Sequence, residues 1–313
     1  MKVIVFGGSG FLGSHVADVL DDAGHKVIIY DIKASPYLRP SQTMITGDIL
    51  DQEKVEKAVK GCDAVYNFAG IADIGEASER PLESVKYNIL GNSIALEASR
   101  KARVKRFVFA SSLYVYSKAG AFYRSTKQAC ELLIENYHEM FNLPYTILRY
   151  GSLYGPRSDR KNFIHTIIKQ ALTEDKISRY GDGEEIREYI HVRDAAKGSV
   201  EILSAEFANQ HVILTGNQQI KVKDLLFMIK EIMGNKIEIE FLPPKEGSHY
   251  EITPYYFAPK TGTRLVSRTY LDLNQGMLEI IYGIHKEINN HPICGSTPVK
   301  SKKKKEKIKI GSA

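Results

Sequence analysis

The sequence predicts an α/β fold built on a doubly wound parallel sheet, and three observations carry that prediction. A short apolar, β-branched run, Lys2 to Phe6, reads as a buried strand and leads straight into Gly7, Gly10 and Gly13 at G-x-x-G-x-x-G spacing. From Phe11 the residues Phe11, Leu12, Val16, Val19 and Leu20 recur at helical period until Gly24, and a second strand, Lys26 to Tyr30, then ends in Asp31. Three further strand-like runs alternate with helical ones, as a parallel sheet with crossover helices requires.

Taken in order, a polar loop through Pro36 and Pro40 leads to the strand Met44 to Asp48. Asp51 then has the position of an N-cap for a helix from Gln52 to Lys60, closed by Gly61. Asp63 to Gly70 reads as strand and turn, Pro81 to Arg100 as a long helix, and Lys105 to Ser112 as a strand ending in two hydroxyls. A short loop, Ser117 to Ala121, precedes a helix from Phe122 to Glu139. Ligands of such sheets lie at the carboxyl ends of the strands, so Gly7, Asp31, Asp48, Gly70 and Ser112 are expected to line one crevice.

The glycine spacing has a physical purpose. The chain must bend sharply, bring backbone N–H groups of Gly10, Phe11, Leu12 and Gly13 against a pyrophosphate, and pack the new helix closely on the sheet. The helix N-terminus favours negative charge there. Asp31, eighteen residues past Gly13, can accept hydrogen bonds from both adenosine ribose hydroxyls. Strand, glycines, helix, strand and acid in that order predict a dinucleotide site, with NAD preferred because Asp31 repels a 2′-phosphate.

Composition bounds the remaining classes. The 313 residues are 43% apolar and 26% charged, as in an ordinary globular protein, with no apolar run of membrane-spanning length. The net charge of +6 resides in the segment 300–309, which holds seven lysines and one glutamate. The rest of the chain is balanced, so no nucleic-acid face and no membrane partner are expected, and the tail, 291–313, is expected to be disordered. Cys62, Cys130 and Cys294 show no metal-ligand spacing and no even disulfide set, which suits a reducing cytoplasm and predicts no metal.

The chemistry centres on Tyr123 and Lys127, four apart on one helix face. An ammonium beside a phenol favours phenolate and makes a tunable acid/base. The same spacing occurs at Tyr114/Lys118, Tyr256/Lys260 and Tyr282/Lys286, so position decides. Only Tyr123 and Lys127 open a long helix directly after the strand ending in Ser111 and Ser112.

With these residues in view, the chain resembles an extended short-chain dehydrogenase/reductase of the NAD-dependent epimerase/dehydratase family over about residues 1–200. The resemblance rests on the glycine motif, Asn67-Phe-Ala-Gly70, Asn88-x-x-Gly91, Ser111-Ser112-x-x-Val115-Tyr116, Tyr123 with Lys127, and Arg149-Tyr150-x-x-Leu153-Tyr154-Gly155-Pro156. It extends to Gly181-Asp-Gly-x-x-x-Arg187-x-Tyr189-Ile-His191-Val-x-Asp194. It implies that Ser112 bonds the reacting sugar oxygen, that Tyr123 is the acid/base, and that Lys127 holds the nicotinamide ribose and tunes Tyr123. It further implies that Asp48 and Ile49 meet the adenine, that Phe68, Ala69 and Gly70 flank the cofactor, and that Tyr150 and Ser152 border the nicotinamide. Asn162, Tyr180 and Arg187 match positions holding the nucleotide half of a nucleotide-sugar. Residue by residue, Tyr180 also reads as core, Asn162 as a helix cap, and His191 as structural.

The family pattern implies a Rossmann-type NAD-binding domain over 1–155, rejoined at about 179–203. A smaller C-terminal α/β substrate domain is expected over 156–178 and 204–290, with pairing into a homodimer through the two long helices. Departures are visible. Only ten residues separate Ser112 from Tyr123, Arg124 and Ser152 replace usual residues, and His249-Tyr250-x-x-Thr253-Pro254-Tyr255 matches no motif. The expected activity is epimerisation of a nucleotide-sugar, a UDP-sugar first, by reversible hydride transfer through a keto-sugar. A keto-sugar-nucleotide reductase is the alternative. A 4,6-dehydratase needs an Asp-Glu pair where Leu113 and Tyr114 stand, and a non-enzymatic sensor would not need Ser112, Tyr123 and Lys127.

Overall fold

The structure, a computed structural model, describes residues 1–243 together with 251, 252, 254 and 281. Two compact units divide the chain, Met1–Ala258 and Pro259–Ala313, and the description below concerns the first. The segment His249 to Tyr250, most of the expected substrate domain beyond 243, Cys294 and the lysine-rich tail lie outside the described residues.

The elements follow in chain order. They are β1 (Lys2–Phe6), α1 (Phe11–Asp22), β2 (Lys26–Asp31), β3 (Thr43–Thr46), α2 (Gln52–Val59), β4 (Ala64–Asn67), α3 (Ile74–Glu79), α4 (Pro81–Ser84) and α5 (Gly91–Ala102). Then come β5 (Arg106–Ser112), α6 (Ala121–Phe141), β6 (Tyr145–Tyr150), β7 (Ser152–Tyr154), α7 (Phe163–Glu174), β8 (Lys176–Tyr180), β9 (Ile186–His191) and α8 (Val192–Glu201). The described chain closes with β10 (Gln210–Leu214), β11 (Gln219–Lys221), α9 (Val222–Ile232) and β12 (Glu238–Leu242). The long helix expected from Pro81 is interrupted by a π-helical segment, Val85–Leu90, between α4 and α5.

Seven strands form one sheet in the order β10-β6-β5-β4-β1-β2-β3, every pair parallel. Alternation along each strand explains why these runs are apolar throughout. Ile4, Phe6, Val65, Phe107 and Phe109 face one core, shared with Val55 of α2, Leu96 of α5 and Ile134 of α6. Val3, Val5, Tyr66, Val108 and Leu148 face the other, closed by Val16 and Leu20 of α1 and Ala195 of α8. β1 has β2 on one side and β4 on the other, so the strand order reverses there and the crevice opens at its carboxyl end.

One expected boundary is corrected. Residues 210–214, placed by sequence with the substrate part, form the edge strand β10 of the large sheet, because Gln210 to Leu214 pair in parallel register with Thr146 to Tyr150. The small elements are β11-β9-β7 and β12-β8. A third core of Ile167, Ala171, Ile177, Leu225, Leu226 and Ile229 joins α7, β8 and α9.

Candidate active site

The glycine turn is built by contacts that exclude side chains. Gly7 sits at φ +74°, and a Cβ there would lie 2.7 Å from the Ala69 nitrogen. A Cβ on Gly13 would lie 2.3 Å from the Gly7 carbonyl oxygen. α1 therefore starts pressed against the turn, with Gly10 as an N-cap that offers no side-chain hydrogen bond. The first-turn N–H groups, those of Phe11, Leu12 and Gly13 among them, lack intrahelical acceptors and suit an anion. Asp31 ends β2 with one carboxylate oxygen accepting from Ser9 N at 3.0 Å and the other from Lys33 N at 3.2 Å, which aims the carboxylate across the mouth of the turn. An uncapped helix start, a cradle that a Cβ would fill and an oriented acid fit a dinucleotide.

The flanking positions are fixed by side-chain clamps. Asp48 accepts from Leu50 N at 2.9 Å, and its carbonyl takes the Tyr30 hydroxyl at 2.8 Å. Ile49 is buried, and its side chain packs against Gly91. Phe68 stacks on Tyr66 with ring centroids 5.9 Å apart, and Ala69 N donates to Asn67 Oδ1 at 3.1 Å. Gly70, at φ +135°, leaves room for Asn88 Oδ1. Asn88 accepts from Ile71 N at 2.7 Å and donates to Ile71 O at 3.1 Å and to Thr126 Oγ1 at 3.0 Å. The π-helical segment carries Asn88, as such bulges often carry site residues, and it ties the Gly70 turn to α6.

The carboxyl end of β5 and the start of α6 bring Ser112, Tyr123 and Lys127 together. Ser112 Oγ accepts from Tyr114 N at 3.3 Å, capping the short 3-10 turn Leu113–Tyr116. Tyr123 is half-buried. Lys127, one turn on, is buried; its Nζ donates to Ala110 O at 2.7 Å and lies 4.8 Å from the Phe109 ring centroid and 5.7 Å from that of Tyr123. Burial holds the Lys127 ammonium below the usual lysine range, and the neighbouring Glu131 carboxylate opposes that shift. The ammonium is thus fixed by a strand carbonyl beside the Tyr123 ring.

Behind this trio lies a polar network that joins the motif residues Ser111, Tyr116 and Arg149 through Glu131, His211 and Glu135, which no motif contains. Glu131, one turn past Lys127, accepts from Ser111 Oγ and from Arg149 Nε at 3.1 Å and Nη2 at 2.6 Å. Arg149 also donates to the Tyr116 hydroxyl and, at 2.6 Å, to His211 Nδ1, whose Nε2 faces Glu135 at 2.8 Å. The pair Glu131 and Arg149 is buried, with side chains 8% and 15% exposed. The signal available in sequence was a carboxylate, Glu131, one turn past Lys127 on the stripe that also holds Cys130 and Ile134.

Tyr150 is turned the other way. Its hydroxyl meets Ser199 Oγ at 2.6 Å inside the second core, because strand alternation gives the opposite face to Arg149. Tyr150 is the last residue of β6. Ser152, half-buried, opens β7 and pairs with Tyr189.

Of the substrate-side residues, Asn162 caps α7, accepting from His165 N at 3.2 Å and donating to Leu153 O at 2.8 Å. That bond ties it to β7, which pairs with β9, the strand of Arg187. Arg187 is buried and donates to Ile186 O at 2.9 Å. Tyr180 ends β8 on the other small sheet and is 42% exposed, so it is no core residue. His191 caps α8 by accepting from Arg193 N at 3.3 Å, the structural reading. Among the described residues no cluster of histidine, cysteine and carboxylate side chains could hold a metal, and no helix is long and apolar enough to cross a membrane.

Residues 3–216 match the model of the NAD dependent epimerase/dehydratase family. The UDP-glucose 4-epimerase of Corynebacterium glutamicum is 28% identical over 279 residues, covering 79% of this chain and 85% of that protein. Among solved structures, the chain is similar to UDP-N-acetylglucosamine 4-epimerase from Methanobrevibacter ruminantium M1 in complex with UDP-N-acetylmuramic acid, with 28% identity and a TM-score of 0.74 over 82% of this chain and 89% of that one. It is also similar to UDP-glucuronic acid 4-epimerase from Bacillus cereus in complex with UDP-glucuronic acid and NAD, with 27% identity and a TM-score of 0.74 over 82% and 90%. A match over more than half of the chain, on a parallel sheet whose strand ends carry the glycine turn, Asp31 and the serine, tyrosine and lysine trio, makes this chain a member of the NAD dependent epimerase/dehydratase family.

Proposed function

We propose that the protein is an NAD-dependent nucleotide-sugar epimerase that acts on a UDP-sugar by reversible oxidation of a ring hydroxyl. The observation that carries this reading is the buried Lys127, which donates to Ala110 O of the strand ending in Ser112 and lies 5.7 Å from the Tyr123 ring centroid, in a sheet whose first turn leaves the start of α1 without a side-chain cap. Ser112 Oγ holds the reacting hydroxyl, and Tyr123 takes its proton and later returns it. Lys127, held by Ala110 O, favours the phenolate and meets the nicotinamide ribose. NAD, when bound, supplies reversible acceptance of a hydride. The turn from Gly7 to Gly13 and Asp31 hold its pyrophosphate and ribose, with Asp48, Ile49, Phe68, Ala69, Gly70, Tyr150 and Ser152 around it.

The nucleotide half is assigned to the unit of α7, β8 and β9. Arg187 grips the pyrophosphate, Tyr180 stacks on the base, and Asn162 adds a phosphate contact at the start of α7. Leu113 and Tyr114 stand where a dehydratase carries an Asp-Glu pair, and Leu113 has no proton to transfer, which disfavours dehydration. Exposed apolar residues on the two long helical stretches, Leu82, Val85, Leu90, Leu132 and Met140, support a homodimer, and the cysteine usage supports the cytoplasm. Purified protein incubated without added cofactor is expected to convert at least one of UDP-glucose, UDP-N-acetylglucosamine and UDP-glucuronate to its epimer by NMR. Stoichiometric consumption of NADH with a 4-keto-sugar nucleotide, and no epimerisation, would establish a reductase instead.

A further inference from the structure

The link between Ser112 and Tyr123 is short, yet it is closely braced. After the 3-10 turn, Ala119 N donates to Ser117 Oγ at 2.9 Å, and Arg124 Nη1 donates to Ser117 O at 3.2 Å and Lys118 O at 2.7 Å. Arg124 N also donates to Gly120 O at 3.0 Å, and Gln128 Nε2 holds Val115 O at 2.8 Å. The arginine that follows the tyrosine thus folds back and locks the loop in front of its own helix.

The locked loop fixes Tyr114. Gly120, at φ +95°, lies so close that a Cβ there would come within 2.7 Å of Tyr114 Cδ1. On its other side the Tyr114 ring meets that of Tyr123 edge to face, with centroids 6.1 Å apart at 80°, a geometry that aromatic pairs favour. Its own N–H donates to Ser112 Oγ at 3.3 Å. Tyr114 therefore touches both groups that meet the reacting hydroxyl, and the backbone behind it leaves no room to retreat.

We propose that Tyr114 is a positioning and specificity-determining residue of this site: its ring orients Tyr123 and forms a rigid wall that limits the substituent carried next to the reacting carbon of the sugar. The proposal rests on the epimerase reading for the identity of the sugar, while its positioning half is tested independently of turnover. An adaptable loop would accept varied substituents by moving. A ring wedged between Gly120 and Tyr123 admits compact sugars and resists bulk on that side.

The test compares Tyr114→Ala with Tyr114→Phe in NAD-loaded protein carrying ring-labelled tyrosine, with the Tyr123 signals assigned from Tyr123→Phe. Tyr114→Ala is expected to move the Tyr123 ring signals and their pH titration, and Tyr114→Phe, which keeps the ring, to restore them. With UDP-sugars, Tyr114→Ala should lower kcat on the order of tenfold to a hundredfold and raise kcat/KM for a UDP-hexose over a UDP-pentose about tenfold; Tyr114→Phe should reverse both. Unchanged Tyr123 signals in Tyr114→Ala, or Tyr114→Phe as damaging as Tyr114→Ala, overturns the proposal. If the wild-type protein turns over no sugar nucleotide, the epimerase reading fails, and the Tyr123 signals still decide whether Tyr114 positions it.

Discussion

Removing the carboxylate of Glu131 isolates a guanidinium inside the protein. In the folded chain Arg149 is 15% exposed and Glu131 8%, with a closest approach of 2.6 Å. At an effective dielectric of about 20, unit charges near 4 Å attract by about 4 kcal/mol, and breaking one side of a buried pair typically costs about 3–5 kcal/mol. In Glu131→Leu, Arg149 keeps the Tyr116 hydroxyl and His211 Nδ1, neither of which carries a full negative charge, and the buried Ser111 hydroxyl loses its acceptor. A loss of about 3–5 kcal/mol is expected, a large share of the roughly 5–15 kcal/mol that holds a domain folded. Urea unfolding followed by circular dichroism measures it in Glu131→Leu, Arg149→Met and the double variant. The double variant should recover about 2 kcal/mol or more relative to the sum of the singles, because neither charge is then left alone. Single losses under about 1 kcal/mol, the value of an exposed pair, or strict additivity would refute the reasoning.

Tyr123→Phe should lose on the order of a hundredfold or more in turnover while still binding cofactor; equal loss in Tyr114→Phe would show that the wrong tyrosine carries the proton. NAD should bind much better than NADP by calorimetry, because the carboxylate held by Ser9 and Lys33 main-chain N–H groups would repel a 2′-phosphate, and Asp31→Ala should narrow the gap. Burial pushes the phenols of Tyr66 and Tyr150 well above the usual tyrosine range. The unfolded chain releases those protons near pH 10 while the folded chain retains them, so their contribution to stability is complete below about pH 10 and is lost as pH rises beyond it. Urea midpoints against pH should fall less steeply for Tyr150→Phe than for wild type, by up to about 1.4 kcal/mol per pH unit; identical slopes would show that Tyr150 already ionises in the fold.

Much of the architecture was legible because local signals and tertiary demands agreed. β1, β2 and β5 are continuous apolar runs since both faces of a parallel sheet are covered, and the glycines of the first turn are required by contacts only a missing Cβ permits. Element ends were read to within a few residues, as at α6, expected from Phe122 and found from Ala121. The strand Gln210–Leu214 was misassigned because nothing in its own sequence states which sheet edge it joins. Its place depends on an unfilled ladder along β6, whose paired residues lie 64 positions earlier in the chain, Gln210 against Thr146.

The sequence alone determined the fold class and the glycine turn, since each follows from a pattern within neighbouring elements, and it singled out Ser112, Tyr123 and Lys127 as candidates by their position after the fifth strand and by family resemblance. Only the tertiary structure decided what surrounds them. The faces taken by Arg149 and Tyr150, adjacent in sequence and opposite in the sheet, follow from strand alternation once the neighbours are known. That Asn88 clamps the Gly70 turn depends on partners 17 and 38 residues away. The way Arg124 and Gly120 hold Tyr114 against Tyr123 depends on a loop whose shortness is visible in sequence but whose path is not, because hydrogen bonds to carbonyl groups leave no residue pattern to read.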